Sequence, residues 1–328
     1  IAVRQSSAEQ INKYLASTKL SVHTDLQTFP DDYSSTEILA TYYDKTKKDI
    51  IVMGGDVLVD CNFLPNMIDM HRTKSMGTTL SLNSPVDATV TVLLKEKLKE
   101  TNPVHKTKPN FMGLGECGEV LMMSYEGKNE SMFELPYDSL FHCGPMTLHT
   151  DIIDAHVYII SRWTLNILKD RKRIGKPMKS IKHQFLATLI RYQHESEEQL
   201  QLNKVTEYMG TDADLLGEAM EMSSGSRTNQ KILVHSYMMG KDSYAVRIKS
   251  LFFYLEVNKD VSTFKSRFLT TRLPLAPNTT NPWKKKERVT SSPRVQWYHP
   301  KREWALSVWW AQILRLVTVV VSKSQSLD

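Results

Sequence analysis

Residues 48–60 read K-D-I-I-V-M-G-G-D-V-L-V-D, and the reading of this stretch decides the fold class. Ile50, Ile51, Val52 and Met53 form an apolar run without alternation, the pattern of a strand buried on both faces of a parallel sheet. Gly54 and Gly55 follow at once, and then Asp56, at the point where such a strand ends. In open α/β sheets ligands gather beyond the carboxyl ends of the strands. A carboxylate there, after two residues with no side chain to obstruct a ligand, can hold a divalent cation against a phosphate. The same pattern also fits a plain structural role, with Asp56 capping the next helix or turn. Spacing alone leaves both readings open.

Upstream of this stretch, residues 1–3 read as the end of a strand. Ser6 and Ser7 are placed to cap a helix that carries Ala8, Ile11, Tyr14 and Leu15 on one face. Ser34-Ser35-Thr36-Glu37 opens a second helix, with Ile38, Leu39, Tyr42 and Tyr43 spaced for burial. Downstream, the spacing predicts a helix around residues 64–72 through Met67, Ile68 and Met70, then strands at 78–82 and 89–94. Strand, helix, strand, helix and strand in this order argue for a right-handed parallel α/β sheet.

Residues 101–118, rich in Pro, Lys and Gly, are expected to be a loop. Strands follow at 120–124, 147–148 and 155–160, then a helix with Trp163, Leu165, Ile167 and Leu168. Its basic end, Lys169, Arg171, Lys172 and Arg173, suits the helix dipole better than an anion site. Ile181, Phe185, Leu186, Leu189 and Ile190 mark another amphipathic helix. Residues 195–228 read as a mobile acidic linker containing Asp212, Asp214, Glu218 and Glu221. Strands at 232–238 and 244–248 and a helix at 250–258 complete the ordered part.

The net charge of +6 hides a division. Residues 265–328 hold 12 Lys/Arg against 3 Asp/Glu, a net of +9, which leaves −3 for everything before them. Five of the six tryptophans lie in that tail, and all fifteen methionines precede Gly240. Pro274, Pro277, Pro282, Pro293 and Pro300, with Lys284-Lys285-Lys286, mark the tail as unstructured, and its abrupt change of composition is that of an alternative exon or a shifted reading frame. Its basic and aromatic residues, Trp283, Arg288, Arg294, Trp297, Tyr298, Lys301, Arg302 and Trp304, would allow RNA binding. Trp309 and Trp310 ahead of Ile313, Leu314 and Leu316 would suit a lipid interface. A disordered or non-native tail fits the composition better than either.

The most apolar run, residues 305–321, contains Gln312 and Arg315 and is short for a membrane span. Three scattered cysteines, Cys61, Cys117 and Cys143, fit neither a disulfide framework nor a zinc site and point to a reducing, cytosolic setting. His142, His149 and His156 recur every seven residues, which suits no compact ligand cluster. The chain opens on Ile1 with no secretory signal, and its true N-terminus is expected to be missing.

Three groups of residues in one order carry a resemblance. They are D-I-I-V-M-G-G-D at 49–56, I-I-D-A-H-V-Y at 152–158, and V-H-S-Y-M-M at 234–239 with V-R-I-K-S-L-F-F-Y-L-E-V-N at 246–258. Over residues 1–261 the chain resembles the gamma-subunit family of eukaryotic translation initiation factor 2B, within the nucleotidyltransferase-like superfamily.

The resemblance implies an α/β, Rossmann-like fold with a mixed, mostly parallel sheet flanked by helices. It gives a nucleotidyltransferase-like domain at residues 1–262 and a non-globular tail at 263–328. In the active pyrophosphorylases of the superfamily, the position of Asp56 shares a magnesium ion with a second acidic or amide residue, here Asp154. Gly54, Gly55, Asp56 and Ser35 are then the remains of a nucleotide pocket, and Asp56 and Asp154 the remains of a metal site. Asp154-Ala155-His156 stands where the enzymes have Asn-Ala-Gly, and Ser34-Ser35-Thr36 where they have Gly-Thr-Ala. The first strand and the Gly-rich loop that wraps the triphosphate are expected to be missing, which would leave an unpaired sheet edge. No six-residue period of a left-handed β-helix follows residue 264.

The resemblance therefore implies a non-catalytic, cytosolic subunit of the guanine-nucleotide exchange complex, with no cofactor. Its partners would be the epsilon and other subunits of factor 2B, and initiation factor 2. The alternative from the same resemblance is a magnesium-dependent sugar-nucleotide pyrophosphorylase.

Overall fold

The computed structural model describes residues 1–17, 24–75, 86–97, 111–124, 145–173, 178–203, 205, 207, 231–240, 243–248 and 250–262. The strand expected at 78–82, most of the expected linker, His142, Cys143 and the tail from 263 lie outside the described residues.

The centre is a four-stranded sheet in the order β10-β5-β9-β3, from β3 (Ile50–Met53), β5 (Val86–Glu96), β9 (Ile152–Ile160) and β10 (Lys231–Met238). Its side chains alternate between two cores. Ile50, Val90, Val92, Leu94, Tyr158 and Ile160 face one core. It is closed by α2 (Ser35–Tyr42), α4 (Thr164–Arg173) and α5 (Leu186–Tyr192). Ile51, Leu93, Val157 and Ile159 face the other core, under α3 (Leu64–Ser75) and α7 (Leu251–Ser262). Both faces are apolar because both are covered, and so the run at 50–53 shows no alternation.

The α/β class and the mixed sheet with flanking helices hold; among the described residues the pairings of the central sheet are one parallel and two antiparallel. β10 pairs with β5 in parallel, but β9 runs against both β5 and β3. β3 is thus antiparallel to its neighbour and, among the described residues, stands at an edge of the sheet and not inside a parallel one. The chain reaches β9 through β6 (Phe111–Gly115), β7 (Val120–Ser124) and β8 (Met146–His149), a three-stranded antiparallel sheet. A short parallel pair, β1 (Ala2–Arg4) and β2 (Gln27–Phe29), forms a separate sheet.

Local expectations meet three further corrections. β6 lies inside the segment read as a loop. Its glycines signal close approach and not a turn, since a Cβ on Gly113 would stand 2.5 Å from Met146 Sδ. The segment read as a linker from 195 begins with a helix, α6 (Glu197–Leu202), started by a Ser196–Gln199 capping box and anchored by buried Leu200 and Val205. Helix α1 (Gln5–Ser17) starts before Ser6, whose N–H and hydroxyl both bond to Asp31 Oδ1, at 3.2 and 2.9 Å.

Candidate functional site

The site forms where β3 ends. After Gly54-Gly55-Asp56 the chain enters β4 (Val57–Val59), a strand the sequence reading missed, which pairs antiparallel with β11 (Ala245–Arg247). All three β4 side chains are buried, which accounts for V-L-V directly after the acid. Two backbone bonds of 2.8 Å close this pairing at its ends, Ile248 N–H to Asp56 O and Asp60 N–H to Tyr244 O. Arg247 sits opposite Val57, and its Nε donates to Asp56 Oδ2 at 2.5 Å. Of the two readings left open for Asp56, a helix cap is not what its carboxylate does; it holds a guanidinium from 191 residues away.

On the other side of Asp56 stands His156, in the middle of β9. Its φ of +64° is the only positive value at a non-glycine among the described residues. The β5–β9 register jumps there, from Val92↔Tyr158 to Leu94↔Asp154, so that β9 bulges opposite Leu93. A bulge re-aims a side chain, and this one turns the His156 ring onto the Gly54–Asp56 turn. The left-handed conformation costs a side-chain-bearing residue about 1–2 kcal/mol. Two bonds hold it: His156 N–H donates to Asp154 Oδ1 at 2.7 Å, and Gly54 N–H donates to His156 O at 3.1 Å.

Asp154 is wholly buried in its side chain and satisfied on both oxygens. Oδ1 takes the His156 N–H; Oδ2 takes the Tyr158 hydroxyl at 2.7 Å and lies 3.4 Å from Lys182 Nζ. Lys182 comes from the helical turn Ile181–Phe185 that leads into α5, and it is also largely buried. His156 Nδ1 lies 3.8 Å from Asp56 Oδ1 and makes no hydrogen bond among the described residues. Burial first, and then the Arg247 charge, push the His156 pKa below the ordinary imidazole value, against the pull of Asp154 and Asp56.

The structure thus brings Gly54, Asp56 and Asp154 together around His156. Ser35 is placed differently. It begins α2 behind the true cap, Ser34, which forms a capping box with Glu37. Ser34 and Thr36 both donate to the Met178 carbonyl, tying this end of α2 to the segment ahead of Lys182. His149 pairs with Asp151 at 3.7 Å on a separate element, β8, so of the two described histidines of the seven-residue period neither joins the other.

Magnesium demands near-octahedral oxygen ligation at about 2.0–2.1 Å. The residues present do not fit it. Asp56 Oδ2 is taken by a guanidinium, both oxygens of Asp154 accept donors, and a lysine ammonium stands at the second carboxylate. Unit charges 4 Å apart near a protein surface interact by about 4 kcal/mol, and a divalent ion beside Arg247 would meet twice that as repulsion. The sequence reading missed both cations. Lys182 has no local signal, whereas Arg247 closes an apolar A-V-R strand, a weak sign of a charge held at a sheet end.

No protein-family model matches the chain. Solved structures with partial likeness include HddC from Yersinia pseudotuberculosis, with a TM-score of 0.43 at 10% identity, covering 79% of this chain and 76% of that one. A putative glucose-1-phosphate thymidylyltransferase from Bacillus anthracis gives 0.41 at 10% identity, over 79% and 74% of the two chains. Among the described residues no helix is long and apolar enough to cross a membrane. The chain spans 63% of the length of a curated relative from Dictyostelium discoideum and is 21% identical to it over 282 residues, 82% of its own length. In sequence, over most of its length, the chain is similar to that relative, the translation initiation factor eIF2B subunit gamma.

Proposed function

We propose that this protein is a non-catalytic subunit of an eIF2B-type guanine-nucleotide exchange complex, scaffolding an epsilon-type subunit and contacting initiation factor 2. The sequence similarity supports the assembly. One observation carries the non-catalytic part: Arg247 and Lys182 stand on the two carboxylates that a nucleotidyltransferase would give to magnesium. Nucleotidyl transfer depends on positioning and on charge stabilisation at the phosphates, and a site whose acids are committed to internal cations supplies neither. Gly54, Gly55, Asp56 and Asp154 are then structural remains of a pocket, and the subunit works by its shape.

The test has two arms. Co-expressed with an epsilon-type subunit, the tagged chain is expected to co-purify with it in fixed stoichiometry. Incubated alone with nucleoside triphosphates, sugar 1-phosphates and magnesium, it is expected to release no pyrophosphate. Release above the level of an Asp56→Asn variant would replace this reading with the sugar-nucleotide pyrophosphorylase one.

A further inference from the structure

We infer that His71 is a proton-operated clasp between helix α3 and the start of strand β3. With a neutral ring the clasp stands open, and a second ring proton closes it on Asp49. This goes beyond the subunit reading and stands or falls without it.

His71 occupies a position made for an apolar residue. It lies one turn after Met67, on the face of α3 that packs against the sheet, and the two are 2% and 0% exposed. Its Nδ1 is 2.7 Å from the hydroxyl of Thr91, itself wholly buried on β5. Its Nε2 is buried, makes no hydrogen bond among the described residues and stands 3.7 Å from Asp49 Oδ2. That distance is beyond a hydrogen bond, and buried polar atoms are as a rule satisfied. One proton placement accounts for both. The single proton of the neutral ring sits on Nδ1, toward Thr91, and Nε2 turns a lone pair toward an anion. Protonation makes Nε2 a donor, and the pair can then close to a charge-assisted bond of about 2.7–2.9 Å.

Asp49 is fixed in place to receive it. Its Oδ1 accepts the Arg162 N–H at 3.0 Å, and Arg162 Nε donates to the Thr46 carbonyl at 2.6 Å. Burial pushes the Asp49 carboxyl up, but the His71 ring, the Arg162 N–H and the Arg72 charge outweigh it and hold it below the ordinary carboxylate value. Asp49 immediately precedes β3, which among the described residues pairs with a strand on one side only, so contacts at its start decide how firmly it is held.

The other charged and titratable groups around α3 are engaged elsewhere or exposed. On α3 itself Asp69 and Arg72 are exposed, as is Lys48 beside Asp49. Asp60, ahead of the helix, bonds to Asn62. From β10, which α3 also touches, the His235 ring bonds to the Cys117 carbonyl at 2.8 Å and Tyr237 packs on Phe63.

The experiment uses the full chain, with ¹⁵N resonance of the imidazole nitrogens and amide hydrogen exchange of residues 50–53. Both are read at about pH 7.5 and 5.5, on either side of the ordinary imidazole value. The neutral His71 ring is expected to carry its proton on Nδ1. Asp49→Asn removes the charge and keeps an oxygen for the Arg162 N–H. Protection of residues 50–53 in the wild type, divided by that in Asp49→Asn, is expected to rise about two- to five-fold from the higher pH to the lower, the scale of a partly exposed ion pair. Taking the ratio at each pH cancels what both proteins share, His156 included.

A neutral ring protonated on Nε2 would overturn the inference, and so would a protection ratio that does not change with pH. Should Asp49→Asn fail to fold, the wild-type tautomer decides alone. None of these results bears on co-purification or pyrophosphate release, which test the subunit reading.

Discussion

Gly54 and His156 approach each other more closely than any side chain at position 54 would allow, since a Cβ there would overlap His156 Nδ1. The glycine read from the sequence as clearance for a ligand is clearance for an imidazole of the same chain. Gly54→Ala is therefore expected to destabilise the fold by about 1–3 kcal/mol, the usual range for overpacking. Combined with His156→Gly the loss should shrink, giving a coupling of about 0.5–3 kcal/mol in a double-mutant cycle by urea denaturation. Strict additivity would show that the contact carries no energy.

The left-handed backbone at position 156 gives a second comparison. His156→Ala and His156→Gly remove the same ring contacts with Tyr158 and Gly54, but only glycine adopts φ +64° without strain. The glycine variant is expected to be the more stable of the two by about 1–2 kcal/mol, measured by chemical denaturation. Equal stabilities would mean that the bulge relaxes when the imidazole is gone.

Burial separates two ion pairs of similar chemistry. Asp154→Ala removes the partner of buried Lys182 and of the Tyr158 hydroxyl, with an expected cost of about 3–5 kcal/mol. Asp154→Asn, which keeps an acceptor oxygen, should cost less. Asp44→Ala breaks the Lys169–Asp44 pair, which is shorter at 2.8 Å but solvent-exposed, and is expected to cost about 0–1 kcal/mol. Thermal unfolding of the three variants side by side checks the order.

The low pKa of His156 makes a signed prediction. Folding favours its neutral form, because burial and then Arg247 disfavour the imidazolium. The unfolded chain therefore binds the proton more readily, at about pH 6.5, and stability rises with pH through that range. The contribution is full above the ordinary imidazole value and is lost as pH falls through it toward the folded value. His156→Gln is expected to flatten the fall in melting midpoint between about pH 7 and 5. An unchanged slope would assign that fall to other groups.

At the start of α2 the capping geometry singles out Ser34 over its neighbour. Ser34→Ala is expected to cost about 1 kcal/mol through loss of the capping box. Ser35→Ala, in the first turn of α2, should lie within about 0.5 kcal/mol of the wild type. A larger effect at Ser35 would restore the position to the site.

The readable parts of the chain were those whose cause is local. Ile50 to Met53 announced a strand covered on both faces, and both cores are there to cover it. S-S-T-E at 34–37 announced a cap, and Ser34 and Glu37 make it. The apolar faces of α3, α4 and α5 were legible from spacing, because a helix repeats its contacts every three to four residues. Misreadings followed where one residue type serves two causes. Gly113 and Gly115 looked like loop residues because glycine also marks turns, yet Gly113 is there for close strand contact. Residues 197–202 looked like a linker because four of the six are Glu or Gln, and so short a helix leaves almost no periodic signal.

By itself the sequence determined the α/β class and the strand at 50–53 with the carboxylate of Asp56 at its end, and the resemblance added Asp154. Only the tertiary structure decided what those carboxylates face. The direction of β9, antiparallel to both β5 and β3, is a matter of pairing between distant segments that no local pattern encodes. Asp56 meets Arg247 across 191 residues because β4 pairs with β11, and Asp154 meets Lys182 because a helical turn packs against β9. Charge neutralisation depends on distance in space, and spacing along the chain carries no record of it.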